Sequence, residues 1–319
     1  MAAVCAAAPV AFAAPDGKVE QQGGAATPTW RTSTVNVPST SSPGAQELFR
    51  FRRSCNAGEV VVNSGYALNA TLGGAVLQLV AHGPVGARTW VVSVLRLPTQ
   101  AQLQVSLLCV RNAPFSVHFE RSAARVNAAR QAAGAVFPRQ TRVRRQCTRG
   151  GLPVGYGVSL LPAQAAVLTR GTSRRVGKRW ELVFTNRVQR AQRIKLVIIC
   201  LRRGREPLRV KAFDATHALL AARLVPATGA TIPGQRSYHR TCPTGQTLVG
   251  YGYRVPGGAS VDAVVPALPN ARAALFFGRN TSTVQPPRRL LTQIVCVASE
   301  ALGRGTARQP PRGPIGPPS

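Results

Sequence analysis

Cys242-Pro243-Thr244-Gly245-Gln246-Thr247-Leu248-Val249-Gly250-Tyr251-Gly252 decides how this chain reads. The same frame stands 95 residues earlier as Cys147-Thr148-Arg149-Gly150-Gly151-Leu152-Pro153-Val154-Gly155-Tyr156-Gly157, without a gap. A third copy begins at Cys55, with Gly58 three residues on and Gly65-Tyr66 closing the apolar run, two residues later than in its sisters. Each copy ends on a second cysteine followed by an apolar residue: Cys109-Val110, Cys200-Leu201 and Cys296-Val297. An aromatic recurs between the two cysteines, as Trp90, Trp180 and Phe276, and basic residues precede each leading cysteine (Arg52-Arg53, Arg144-Arg145, Arg240). Recurrence of several residue types at a fixed period marks a repeat architecture.

Removing Cys5 with an N-terminal export signal leaves six cysteines, separated by 54, 53 and 54 residues within copies and by 38 and 42 between them. Six cysteines admit fifteen pairings. The near-constant inner spacing singles out Cys55–Cys109, Cys147–Cys200 and Cys242–Cys296. Zinc is the competing use, but it favours close pairs such as C-x2-C, and His239, three residues before Cys242, has no counterpart in the other copies.

Within copies the periodicity is that of strands. Alternation by two places Leu103, Val105 and Leu107 beside Cys109, Ile194, Leu196 and Ile198 beside Cys200, and Leu290, Thr292 and Ile294 beside Cys296. Val91–Leu95 and Glu181–Phe184 read as a further strand after each Trp. The glycines that interrupt these runs fit bulges or close backbone approaches. Gly150 to Gly155 lacks the Gly-Lys-Ser/Thr of a phosphate loop. The expectation is an all-β protein of three tandem disulfide-stapled repeats, sandwich or prism-like, with short helices at most in the connectors.

The expected organisation is a signal peptide over 1–13, a flexible leader over 14–43, repeats over 44–125, 126–218 and 219–300, and a disordered Pro/Gly/Arg tail over 301–319. The signal rests on an Ala-rich start ending in Ala11-Phe12-Ala13, although a basic n-region is missing. Ser122–Ala135 and Ala215–Leu224 read either as short connector helices or as long irregular crossovers. No apolar stretch reaches eighteen residues, so no bilayer-spanning helix is expected.

The formal net charge is +31, and residues 110–241 hold +22 of it. Arg outnumbers Lys 37 to 4, a bias that a GC-rich genome alone also produces. A field of this size favours an anionic polymer or surface as partner, such as polysaccharide, cell-wall polymer or nucleic acid. The anion-binding candidates are Arg174, Arg175, Lys178, Arg179, Arg193, Lys195, Arg202 and Arg203. Asn69-Ala-Thr and Asn280-Thr-Ser match glycosylation acceptors. The ten acidic residues and four histidines form no paired-carboxylate, H-E-x-x-H or G-x-S-x-G pattern. Neither an enzyme nor a cofactor or metal site is therefore expected.

The C-x-x-G…G-Y-G start and Cys-Val/Leu end resemble segments of secreted actinobacterial-type proteins. Those segments read Cys-Pro-x-Gly, a Gly-rich strand, a Trp-containing strand and a Cys-Val/Ala ending. Cys242-Pro243-Thr244-Gly245 with Val295-Cys296-Val297 comes nearest, while copies one and two lack the Pro and copy three lacks the Trp. The likeness covers about half the chain and implies a structural motif with no catalytic residue to carry over. A looser likeness, to three-fold β-prism proteins of the outer-layer and lectin type, implies three equivalent pockets near Trp90, Trp180 and Phe276 for a carbohydrate. Self-similar β units also suit a subunit of an extracellular assembly or virion shell. The leading expectation is an exported, non-enzymatic protein of the cell surface or surroundings that binds or coats anionic surfaces.

Overall fold

The computed structural model describes residues 27–40, 47–70, 79–95, 101–111, 113, 115–203, 208–219, 222–224, 231–232, 234–256, 259–266, 272–280 and 289–299. The expected signal and tail lie outside these residues.

Six strands make one repeat. Repeat 1 is β1 (Thr27–Val37), β2 (Leu48–Ser54), β3 (Glu59–Ala70), β4 (Leu79–Pro84), β5 (Thr89–Leu95) and β6 (Ala101–Arg111). Repeat 2 opens with β7 (Phe115–Val126) and carries an added hairpin of β8 (Arg130–Ala132) and β9 (Ala135–Phe137). It continues through β10 (Arg139–Gln146), β11 (Leu152–Ser159), the short helix α1 (Pro162–Val167), β12 (Leu168–Val176), β13 (Arg179–Asn186) and β14 (Gln192–Arg203). Repeat 3 is β15 (Val210–Ala218), a small ribbon of β16 (Arg223–Leu224) and β17 (Thr231–Ile232), then β18 (Gly234–Thr241), β19 (Gln246–Arg254), β20 (Ala259–Pro266), β21 (Ala273–Asn280) and β22 (Arg289–Ala298).

The repeats do not fold as separate beads. Three six-stranded sheets run β1-β6-β3-β20-β21-β18, β2-β5-β4-β11-β14-β7 and β10-β13-β12-β19-β22-β15. Each repeat therefore gives three strands to one sheet and three to the next, and every sheet is shared by two repeats. The seams are antiparallel: Tyr66 opposite Val264 joins repeats 1 and 3, Val158 opposite His82 joins 2 and 1, and Tyr253 opposite Ser173 joins 3 and 2. The ring of repeats closes, and the sheets enclose one large apolar core, with Ala81 and Val91 in a small cluster apart from it.

The three disulfides are those the spacing singled out: Cys55–Cys109, Cys147–Cys200 and Cys242–Cys296. Each leading cysteine sits just past the second-sheet strand β2, β10 or β18, and each closing cysteine lies on β6, β14 or β22 in the other sheet. The bridge thus staples the two half-sheets of its own repeat. The alternating residues beside the closing cysteines are fully buried. Arg193 and Lys195 face solvent on the opposite side of β14, while Val197 and Ile199 further along are buried on that side too.

Several expectations need correction. Thr27–Val37, placed in the flexible leader, is strand β1, pairing with β6 from Thr27 opposite Arg111 to Val37 opposite Ala101. The first strand of repeats 2 and 3 likewise starts earlier than the divisions at 126 and 219. Ser122–Ala135 and Ala215–Leu224 are not helices. Their described residues fall on β7, the β8–β9 hairpin, β15, β16 and the loops beside them; for β7 and β15, pairing along β14 and β22 outweighs alanine's helix propensity, which is a weak prior.

Strand register also realigns the first copy. Gly65 pairs three residues before its closing cysteine, as do Gly157 and Gly252, so Gly65 matches the second glycine of the Gly-Tyr-Gly motif. The position of Gly155 and Gly250 is taken by Asn63, and copy one carries no insertion. Similarly, Trp90 and Trp180 are equivalent, but copy three has Ala274 there; Phe276 matches Val92 and Leu182.

The glycine after each leading cysteine turns the chain at positive φ: 75° at Gly58, 72° at Gly150 and 76° at Gly245. Gly157 serves a different need. A Cβ there would lie 2.8 Å from Gly83 Cα and from His82 O, across the seam between repeats.

Candidate functional site

One acidic side chain organises the most basic sheet face. Glu181 on β13 is 3% exposed and lies between two flanking strands, opposite Arg144 of β10 and Arg174 of β12. Its Oε2 accepts from Arg144 Nε at 2.9 Å and stands 3.4 Å from Arg142 Nε; Oε1 is 3.6 Å from Arg174 Nε. Burial pushes the carboxyl up, but Arg144, Arg142 and Arg174 outweigh it and hold Glu181 below the usual carboxylate range. Three cations thus share one anion.

In each contact the nearest guanidinium nitrogen is Nε. The Nη groups of Arg142 and Arg144, both on exposed side chains, have no protein acceptor among the described residues. Exposed Arg254 continues the row, through Thr172 and Val183, from Arg142. No acidic residue other than Glu181 occurs between Glu120 and Glu206. The arrangement presents paired N–H donors and uncompensated positive charge, the chemistry that recognises phosphate, sulfate or carboxylate groups.

The eight residues named from sequence do not form one patch. Arg174 belongs to the Glu181 cluster. Arg175 is committed inward: its Nε donates to Gly177 O at 2.9 Å and its Nη1 to Val210 O at 2.8 Å, and burial lowers its pKa. It fastens β12 to β15 and is not free for a ligand. Lys178 and Arg179 are exposed at the β12–β13 turn of the same sheet. Arg193, Lys195 and Arg202 are exposed on β14, in a different sheet, and Arg203 ends that strand opposite Phe115. Arg144 stands in the sequence as one of the basic residues that precede Cys147, and Arg142 lies two residues before it. Their partner Glu181 was missed as an anchor, though its isolation in an 85-residue acid-poor stretch was visible.

A second polar cluster lies where the three repeats meet. Arg170 of β12 donates from Nη1 to Tyr156 Oη at 2.8 Å, and from Nη2 to Tyr66 Oη at 3.2 Å. Its Nη1 also stands 2.9 Å from His82 Nε2. Arg170 has no carboxylate partner among the described residues. Burial opposes its charge, yet the hydroxyls of Tyr156, Tyr253 and Tyr66 raise its pKa, and an arginine stays protonated in any case. Burial first, and then the Arg170 cation, push His82 well below the ordinary imidazole value. A neutral His82 accepting at Nε2 carries its proton on Nδ1, which has no partner among the described residues. Desolvation also lifts Tyr251 and Tyr253 well above the usual phenol range, and the Tyr251 hydroxyl donates to Ser64 O. Residues from all three repeats are locked together here.

Other candidates are absorbed by the fold. Trp90, Trp180 and Phe276 are buried and offer no face to a sugar ring, as Trp180 illustrates by donating to Ser173 Oγ at 3.0 Å. Cys55, Glu59 and Cys109 cluster closely enough to suggest a metal, but both sulfurs are spent in a disulfide, and Glu59 is held by Arg31 Nη2 at 2.8 Å. Asn280 is fully buried, which removes it as a glycan acceptor in the folded chain. The side chain of Asn69 lies outside the described residues. No helix among the described residues is long and apolar enough to cross a membrane. Compared with known proteins, the chain matches no protein-family model and no curated protein sequence.

Proposed function

We propose that this is an exported, non-enzymatic β-repeat protein that binds or coats anionic polymers and surfaces, using the Arg142–Arg144–Arg174 face as a principal contact. The observation that carries the reading is the gathering of three guanidinium groups on a single buried carboxylate. That cluster leaves a local charge of +2 in a region where positive charge is already concentrated. Three disulfides support a life outside the reducing cytosol. Solvated charge would serve solubility alone equally well if the arginines were scattered. Here they are ordered across neighbouring strands, and the outer nitrogens of Arg142 and Arg144 have no protein acceptor among the described residues.

Retention on heparin, double-stranded DNA and a purified cell-wall polymer across a salt series tests the proposal. Binding to a polyanion should weaken linearly on a log–log plot, and R142Q/R144Q/R174Q should flatten the slope by roughly 3 for duplex DNA. Failure to bind all three polymers at low salt would remove the proposal.

A further inference from the structure

The β8–β9 hairpin is an insertion in repeat 2 that, among the described residues, packs on little but itself. All six of its strand residues are exposed, including Val136 at 44% and Phe137 at 53%. Its tip is a two-residue turn with positive φ at both Ala133 (47°) and Gly134 (77°), the twist that suits a tight hairpin. Its root is pinned: Asn186 Nδ2 donates to Asn127 O at 3.0 Å, Asn127 N to Thr141 Oγ1 at 2.9 Å, and Ala129 N to Val188 O at 2.8 Å. With no third strand or covering helix among the described residues, such a two-stranded ribbon is marginal in water, and the exposed side chains of Val136, opposite Gln131, and Phe137, opposite Arg130 at the ribbon's open end, add to the cost.

The residues around the root have one sign of charge. Arg125, Arg130, Arg139 and Arg142 are all exposed, and no Asp or Glu lies between Glu120 and Glu181. The segment Ala132-Ala133-Gly134-Ala135-Val136-Phe137 is wholly uncharged. An uncharged hairpin end, with Val136 and Phe137 exposed behind the turn and a basic collar at the root, is suited to a layered partner, with phosphate at its surface and hydrocarbon beneath. A polysaccharide or nucleic acid offers the charge but no apolar phase for Val136 and Phe137.

We infer that the β8–β9 hairpin is a membrane-surface anchor, which lays Val136 and Phe137 into the interface of an anionic bilayer while the surrounding arginines meet lipid phosphates. This rests on the anionic-surface reading above and names the surface. The hairpin enters turn first, with Val136 and Phe137 on its two faces and Arg130, opposite Phe137, at the level of the phosphates; it does not span the bilayer.

The test uses the full-length oxidised protein and vesicles of phosphatidylcholine, alone or with 30% phosphatidylglycerol (a probe composition of about this order suffices to set a negative surface potential). F137W should shift its emission to the blue only with the anionic vesicles. V136S/F137S should lose roughly tenfold in vesicle affinity, the equivalent of about 1.4 kcal/mol of apolar burial, with heparin retention unchanged. Because both side chains are exposed, neither variant threatens the fold. Equal vesicle binding by V136S/F137S, or no emission shift from F137W on vesicles that do capture the protein, overturns the anchor. Retention on heparin without any vesicle binding overturns the anchor alone; loss of both overturns the anionic-surface reading with it.

Discussion

Replacing Asn63 by glycine restores the internal symmetry of the sequence and should nonetheless damage the protein. Asn63 occupies the position of Gly155 and Gly250, where the main chains of three repeats converge. Its Nδ2 donates to Val249 O at 3.0 Å and to Val154 O at 3.3 Å, while its Oδ1 accepts from Ser64 N at 2.8 Å. The two glycines make the room: a Cβ on Gly155 would lie 3.0 Å from Asn63 Oδ1, and one on Gly250 would press into Val154 O. One amide therefore satisfies carbonyls from both other repeats. At about 1 kcal/mol net for each buried hydrogen bond, N63G should cost roughly 3 kcal/mol. In a chain of this size that corresponds to a melting temperature lower by about 6 °C. Equilibrium denaturation with the disulfides intact measures it. A change below about 0.5 kcal/mol would mean the carbonyls of Val154 and Val249 have other partners, and the convergence of the three chains would be wrong.

Acidification should weaken the fold before any carboxylate titrates. His82 and His217 both lie below the ordinary imidazole value, through burial and then nearby arginines, so the unfolded chain takes up protons first as pH falls. Stability present above pH ~6.5 is then lost at about 1.4 kcal/mol per pH unit for His82. Glu59 and Glu181 are both lowered, so the stability they contribute is lost only below pH ~4.5, and denaturation at pH 7, 6 and 5 isolates the histidines. A flat profile from pH 7 to 5 contradicts a neutral, buried His82. Gly157→Ala should destabilise by about 1–2 kcal/mol, because the seam must open against backbone while the unfolded chain loses some entropy; stability equal to the parent would show the seam to be loose. E181Q should separate two effects that usually travel together. It should cost about 1 kcal/mol, a figure discounted because Arg142 and Arg144 are largely exposed. It should also elute later from heparin, since the local charge rises from +2 to +3; earlier elution would refute the assigned role of the cluster.

The repeat, the pairing of the cysteines and the strand character were legible because each is written locally. Cys242 to Gly252 and Cys147 to Gly157 share one frame, and Leu103 to Cys109 alternates by two. What the sequence hid is non-local. Nothing near Tyr66 or Val264 announces that they face each other across nearly two hundred residues, so the sharing of sheets between repeats was invisible. The Gly-Tyr dipeptide misled for a related reason. Gly65-Tyr66 matches Gly155-Tyr156 by identity, but Tyr66 stands with Tyr253 and Val158 in the seam. The Ala-rich run from Ser122 to Ala135 looked helical because strand β7 draws its stability from its neighbour β14, not from its own residues. The basic site was half legible. The arginine runs were plain, but which arginines are spent on structure, as Arg175 is, depends on carbonyls supplied from elsewhere in the fold.

Scanning calorimetry of the disulfide-intact protein tests the closed ring of shared sheets most directly. Three repeats that complete one another's sheets cannot melt singly. A single two-state transition carrying the whole unfolding enthalpy, about 0.7 kcal/mol per ordered residue near 60 °C, is expected. Two or three resolvable transitions, each of about 60 kcal/mol and therefore the size of one ninety-residue unit, would contradict it.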